Sequence, residues 1–465
     1  MRVLDLSSGG SLGGSLDNVL AHGIGGSKDL PIPLGLTIAG AVAALTVSFT
    51  VLAVAWRTPR YDADTSGRPA PPWLTRVVES RPWFVLWRVV GMLAFAYTVM
   101  VAIGGEDSLL NPLFGIFYVL LWVAFVPISL LFGPAYKAIS PVRTINWAFA
   151  RLTGGDPDRG VFTYPKRLGA WPAAVGLYMF VWMELVYPFA TELGPVRLWL
   201  AVYVAVMLLG GALFGSTFYE HADPFEVYST LVARMSAWGR RRRLEGGDDE
   251  LVIRSPLANL DATPVVPGLV AVACVLFGST AFDSFKDSTR WVKFIQGNDV
   301  QDHGLTTLVN NAGLLVFVLG VALVFTVGTM LTGVGPDQPR RELPNQFAHS
   351  IVPIVIGYVL AHYLTYLLEV GQQTIVYLSD PFSTGHSNWF GTANWQVSYF
   401  FSFHPTALAT IKVLFVVTGH VVGVIAAHDR AIRLLPKRHQ LTGQLPLLAA
   451  MICFTAGGLY LLFAA

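Results

Sequence analysis

The chain has 465 residues, of which 54% are hydrophobic and 13% charged, with a formal net charge of +2. That charge content is about half that of a soluble domain, so the whole length, rather than one anchor, belongs to the polytopic membrane class. The near-neutral balance leaves no electrostatic case for nucleic acid. The two cysteines, Cys274 and Cys453, sit in apolar runs, which excludes a disulfide framework and makes them small buried hydrophobes.

A helix needs about 20 apolar residues to cross hydrocarbon about 30 Å thick. Ten stretches meet this in chain order: 32–56, 83–104, 112–133, 170–191, 196–218, 264–284, 306–334, 346–371, 405–427 and 443–463. Residues 1–31 lack the continuous apolar run of a signal peptide and read as an extracytoplasmic tail. With that tail outside, the inner loops are Arg57–Arg81, Lys137–Arg167, Arg234–Arg254, Arg340–Arg341 and Arg430–Arg438, and they hold 23 of the 31 Lys and Arg. This is the positive-inside asymmetry. The expected fold is therefore an all-α bundle over 32–465, ten spans with both termini outside, in the plasma membrane, with a homo-oligomer or a larger membrane complex as the expected assembly. Among the inner loops, Tyr219–Thr263 has room for short amphipathic helices. Arg240–Arg243, followed by acidic residues, reads as a solvated topology-setting cluster, with anionic lipid headgroups as the alternative partner. Gly211 and Gly215 have the small-xxx-small spacing of close helix packing. Leu213-Phe-Gly-Ser-Thr217 recurs as Leu276-Phe-Gly-Ser-Thr280 in the opposite orientation, a faint trace of an inverted repeat.

Ionisable residues inside the spans single out candidate chemistry, because a charge at the bilayer centre costs about 3 kcal/mol or more. Glu184 falls near the outer end of the fourth span, Asp283 at the outer end of the sixth, and Asn310 and Asn311 near the outer start of the seventh. The eighth carries His349, His362 and Glu369; the ninth carries Lys412, His420 and His428, with His404 just before it and Asp429 just after. Seven residues separate His362 from Glu369, close to two helical turns, so both are expected on one face. Across the helix pair His362 is expected to meet Lys412 or His420. His349 reads as a packing residue bonded to a carbonyl. Imidazole with carboxylate suits zinc or iron, and the same groups suit a proton relay or bis-histidine haem ligation. The inner-rim stretches Tyr219–Glu226 and His428–Arg430 suit helix capping and ion pairs, a proton exit, or a second metal site. The outer segment 373–403 is dense in aromatics and reads as an interfacial belt or a lid, with Asp380, His386 and Asn388 as polar contacts.

Ala21-His-Gly-Ile-Gly-Gly26, Asp29-Leu-Pro-Ile-Pro33, Asp223-Pro-Phe-Glu-Val-Tyr-Ser229, Phe282-Asp-Ser-Phe-Lys-Asp287 and Ala427-His-Asp-Arg-Ala431 carry a whole-length resemblance. The chain resembles fenitrothion-hydrolase-like polytopic membrane proteins. That resemblance implies hydrolysis of an organophosphate-like ester at the membrane, and it adds His22 as a candidate ligand or lid residue. The resulting expectation is a hydrolase of a lipophilic substrate reaching the site from the outer leaflet. In it His362, Glu369 and His420 hold a divalent metal, Glu184 or Asp283 is the general base, and Lys412 stabilises anionic charge. The rival expectation is a proton-coupled transporter using Glu184, His362, Glu369 and Lys412. The third is a haem-bearing or accessory subunit of a membrane complex.

Overall fold

The computed structural model describes residues 26–241, 249–297, 303–333, 338–440 and 442–464. His22 lies outside the described residues, as do Arg242 and Arg243. The protein is an all-α polytopic helical bundle. The helices used below are α1 (Leu34–Ala55), α2 (Arg81–Gly104), α3 (Pro112–Phe132), α4 (Pro141–Leu152), α5 (Trp171–Leu185), α6 (Leu193–Phe214), α7 (Ser216–Ala222), α8 (Pro224–Ala233), α9 (Leu269–Lys286), α10 (His303–Met330), α11 (Leu343–His362), α12 (Pro405–Leu434) and α13 (Leu445–Ala464). Several starts are written in the sequence. Ser80, Asn111, Ser140 and Asp223 each accept a backbone N–H of the following first turn, with proline inside that turn.

Among the described residues nine helices are long and apolar enough to cross a membrane, by length and composition. They match nine of the ten expected spans. The remaining one, expected over 170–191, is the 15-residue α5, about 22 Å long at 1.5 Å per residue. The chain leaves helical geometry at Val186, two residues before Pro188, because a residue preceding proline is pushed toward extended backbone. Leu177 and Phe180 of α5 are fully buried, so the short helix is packed into the bundle, against α8 and α9.

α11 is the centre of the molecule: 83% of its span is buried, against 11% for α2, whose apolar side chains face outward. One face of α11 meets α12 through glycine. A Cβ on Gly357 would collide with Phe415 O, one on Gly419 with Pro353 O, and one on Gly423 would lie 2.8 Å from Ser350 O. Backbones this close maximise dispersion contact, which drives helix association where lipid is as apolar as leucine. The opposite face of α11 meets α9, and α9 meets α10 at Gly278, whose added Cβ would be 2.6 Å from Val318 Cα.

Four details depart from the expected pattern. Gly215 does not pair with Gly211 along a helix: it ends α6 at φ +68°, against the backbone of Asp158 and Gly160. A substituted Cβ there would be both strained and blocked. The segment after α8 is partly β, a three-stranded antiparallel sheet in the order Arg68–Pro69, Glu250–Ile253, Trp238–Arg241, with Arg68 and Trp238 both paired to Ile253. Cys274 is buried, but Cys453 points out of the bundle; both are free thiols. Finally, π-helical stretches interrupt α3 at Gly115–Ala124 and follow α11 at Tyr366–Val370, and the two pack together. Bulges of this kind cluster at functional sites.

Candidate functional site

Three helix ends converge at the end of the bundle opposite the Arg-rich loops. Asp283 lies one turn from the end of α9, His362 is the last residue of α11, and Glu184 is the penultimate residue of α5. His362 Nε2 is 2.9 Å from Asp283 Oδ2, and the Tyr363 hydroxyl donates to the same oxygen at 2.7 Å. Lys286, one turn along α9, holds the other carboxylate oxygen, Oδ1, at 3.5 Å. On the far side of the imidazole, Nδ1 is 3.0 Å from Ser284 Oγ. Ser284 Oγ is in turn 3.0 Å from Tyr358 OH and 3.1 Å from Thr280 O. Asp283 and His362 are almost wholly buried. Glu184 sits within electrostatic reach of both Asp283 and Lys286, and its Oε2 is buried without a hydrogen-bond partner.

Hydrogen-bond bookkeeping shows what this chain can do. Asp283 as a carboxylate only accepts, so Nε2 carries the proton that joins it to His362. With the imidazole neutral, Nδ1 accepts from Ser284, which accepts from Tyr358. With the imidazole protonated, Nδ1 donates to Ser284, whose own hydrogen turns to Thr280 O. Every group is satisfied in both states. A site that loses no hydrogen bond on gaining a proton is a site that can take one and release it.

The candidate metal set is not brought together. Glu369 Oε1 accepts from Ser402 Oγ at 2.6 Å and from Ser402 N at 3.3 Å. His420 on α12 bonds Val416 O through Nδ1 at 2.7 Å, and its buried Nε2 has no hydrogen-bond partner. Among the described residues no three His, Cys, Asp or Glu side chains are grouped to hold a metal ion. The geometric reason is legible on α11. Gly357 fixes the face toward α12; His362, five residues on, projects about 140° away, toward α9. His362 is therefore engaged by Asp283 of α9 rather than by the α12 face that carries His420. The π stretch over Tyr366–Val370 then breaks the 3.6-residue period that would have aligned Glu369 with His362.

The other candidates have separate partners. Lys412 is buried on α12, and the opposite charge near it is Asp29 of the tail. Asn311 accepts from Tyr178 OH on α5 and Asn310 from Trp291 Nε1, each at 3.0 Å, so both act as ties between elements around the cluster. His349 has a carbonyl 3.2 Å from each ring nitrogen, Gln346 O at Nδ1 and Ala426 O at Nε2, and as a neutral imidazole donates to one of them. His404 is exposed and stacks on Phe400. In the aromatic segment, Phe382 packs on Gly104, Tyr97 OH donates to Leu378 O at 2.6 Å, and Trp389, Trp395 and Phe403 stay exposed.

At the Arg-rich end, His428 joins Gln444 Oε1 at 3.0 Å and Trp56 O at 3.1 Å. Asp429 accepts from Arg60 N at 2.7 Å and pairs with Arg433 at 3.3 Å, while Asp261 pairs with Arg430 and Arg433. These bonds clip α1, α12 and α13 together and form a structural clasp. A second clasp surrounds the α7–α8 junction. Asp223 caps α8 and accepts from Tyr203 OH, and the buried Glu226 takes Arg143 bidentately at 2.5 and 2.6 Å. Burial, and then the neighbouring Glu226 charge, push the Asp223 carboxyl up to about 7.

Ser284, Lys286, Tyr358, Tyr363 and Ser402 were not singled out by sequence. Two signals were there: Tyr358 and His362 are four apart, and Asp283 and Lys286 three apart, the spacings that share a helix face. Compared with family models, curated proteins and solved structures, the chain matches none.

Proposed function

We propose that this membrane protein is a proton-coupled transporter and that Asp283, His362 and Glu184 form its proton-binding site. The observation that carries the reading is the unbroken chain Asp283–His362–Ser284–Tyr358, buried between α9 and α11 and satisfied in both protonation states. Intramembrane carboxylates and histidines facing a bundle interior mark proton relays by default. The buried Glu184 Oε2, without a hydrogen-bond partner, lies within electrostatic reach of Asp283. Glu369 and Lys412, held elsewhere, are left out of the relay. The test uses the full-length chain in proteoliposomes and the efflux of ethidium, a lipophilic cation, under an imposed pH gradient. Efflux is expected to follow the gradient, and Asp283→Asn and His362→Gln to abolish that dependence. An efflux indifferent to the gradient, or unchanged in both variants, overturns the reading.

One observation favours a second reading. Ser284, His362 and Asp283 are in the order nucleophile, base, orienting acid, with both ring nitrogens engaged. A hydrolase built on them would attack the phosphorus of an organophosphate triester with Ser284 Oγ. The hydroxyl proton would pass to His362 Nδ1 and the aryl oxide would leave. This version needs no metal and replaces the His362, Glu369 and His420 ligand set. Intact-mass analysis after incubation with a nitrophenyl phosphotriester decides it: a stable phosphoryl adduct lost in Ser284→Ala supports it, and an unmodified chain removes it.

A further inference from the structure

A cleft of about 1860 Å³ opens at the Arg-rich end, between the first turns of α2, the last turns of α3, the helix Ala135–Ile139, α4 and the strand Trp238–Arg241. It exceeds the roughly 300–1,000 Å³ of ordinary small-molecule sites. Its lining holds eight Lys and Arg but three Asp and Glu. Some of this charge is neutralised within the protein: Arg143 by Glu226, Lys137 by Glu220 and Arg240 by Glu79. Among the described residues, Arg81, Arg88, Arg151 and Arg234 are in no ion pair, although Asp158 of the same lining acts on Arg88 from beyond contact distance. Arg88 is held by Thr144 Oγ1 at 3.3 Å and by the faces of Phe84 and Trp147, leaving its Nε buried and unbonded. Arg234, half-buried at the end of α8, has neither a hydrogen bond nor an ion pair for its side chain among the described residues, and it is repelled by another guanidinium, Arg254. Burial and then that repulsion depress its pKa. Desolvated guanidinium groups without counter-charge are unfavourable unless an anion completes them.

The walls say which anion. Phe84, Val85 and Phe132 on α2 and α3 are 46%, 50% and 73% exposed in the cleft lining, and Trp83, Trp87, Trp147 and Trp238 line the same cleft. Exposed apolar side chains, tryptophans and guanidinium forks in one lining bring together the groups that meet acyl chain, interface and phosphate. We infer that this cleft is a binding site for an anionic phospholipid, with its phosphate held by Arg88 and Arg234 and its acyl chains running along the exposed apolar side chains of α2 and α3, Val90 and Ile128 among them. The site is separate from Asp283 and His362, so it stands or falls apart from the proton-coupled reading.

Native mass spectrometry of the full-length protein released from detergent tests it. The protein is offered phosphatidylglycerol, phosphatidylcholine of the same acyl chains, and inorganic phosphate. Retention of phosphatidylglycerol over phosphatidylcholine is expected, reduced about tenfold in Arg88→Gln and in Arg234→Gln. Arg151→Gln, on the exposed rim, weakens retention without endangering the fold, and Arg57→Gln, away from the cleft, leaves it unchanged. Equal retention of the two lipids, competition by inorganic phosphate at the concentration of the lipid, or retention that survives both Arg88→Gln and Arg234→Gln overturns the assignment.

Discussion

The Asp283 carboxylate is the acceptor on which the outer cluster hangs, and replacing it separates charge from hydrogen bonding. Two buried donors, His362 Nε2 and Tyr363 OH, converge on the same oxygen, Oδ2. Asp283→Ala strands both, at about 1–3 kcal/mol for each unsatisfied buried group, or roughly 2–6 kcal/mol together. Lys286 is left out of that sum because its side chain is 27% exposed and water replaces the carboxylate. Asp283→Asn keeps an oxygen where Oδ2 was, and one carbonyl oxygen accepts both donors, so it loses the charge but little of the bonding. Asparagine should therefore lie within about 1–2 kcal/mol of the native protein, well above alanine. Denaturant-induced unfolding in mixed micelles, followed by tryptophan fluorescence, gives the order. A cycle with His362→Ala adds the pairwise part: in the alanine background the second substitution should cost about 1–3 kcal/mol less than in the native chain. Asparagine as damaging as alanine, or a cycle with no coupling, would refute the shared acceptor.

Three further outcomes follow from the packing. Asp223 binds its proton more tightly in the fold than the free carboxyl with its ordinary value of 3.8, since it is raised to about 7. Its protonation therefore favours the folded state, and stability falls as pH rises from about 4 to 7, by up to about 1.4 kcal/mol per unit; Asp223→Asn, which still caps α8, should flatten that slope, and an unchanged pH profile would count against it. Gly419→Leu drives a side chain into the Pro353 carbonyl of α11 and should cost at least about 3 kcal/mol or prevent assembly, seen as loss of a monodisperse peak in detergent. His420→Leu removes a buried Nε2 that bonds nothing together with an Nδ1 that bonds only Val416 O one turn back on the same helix, so stability should hold within about 1 kcal/mol and pH-gradient-driven flux should persist; lost flux would show that Nε2 belongs to the pathway.

The spans were legible because the bilayer imposes one rule, that backbone polar groups be satisfied internally, and a long apolar helix is the simplest sequence that obeys it. That rule reads length and polarity, which are local. It overestimated the length of α5, where burial within the bundle lets a 15-residue helix stand in place of the longer span expected over 170–191. It also could not foresee that Cys453 faces outward, since hydropathy carries no azimuth. That Glu184 and Asp283 share one end of the bundle was legible from depth, because charges at one level of a bundle must share an interior; that His362 joins them was not, since its place in the chain set it deeper, opposite α12. Nor was partner choice. His362 turns from α12 because Gly357, Gly419 and Gly423 set that interface, and glycines leave no hydropathy signal of which helix they face.

Buried polar residues in this chain fall into two kinds. His349, His428, Asp261, Asp429 and Glu226 are each tied to carbonyls or counter-charges that fix one arrangement, and the ties bridge helices distant in sequence. They specify how the bundle closes. His362 differs because one of its partners, Ser284, has a second acceptor in Thr280 O and a second donor in Tyr358 OH. Freedom to exchange one complete set of bonds for another is what separates a proton-handling histidine from a packing one. It follows that Ser284→Ala, which removes the exchangeable hydroxyl but leaves the His362–Asp283 pair, should impair proton coupling more than it impairs stability. A Ser284→Ala protein with native pH-gradient dependence would place His362 among the clasps.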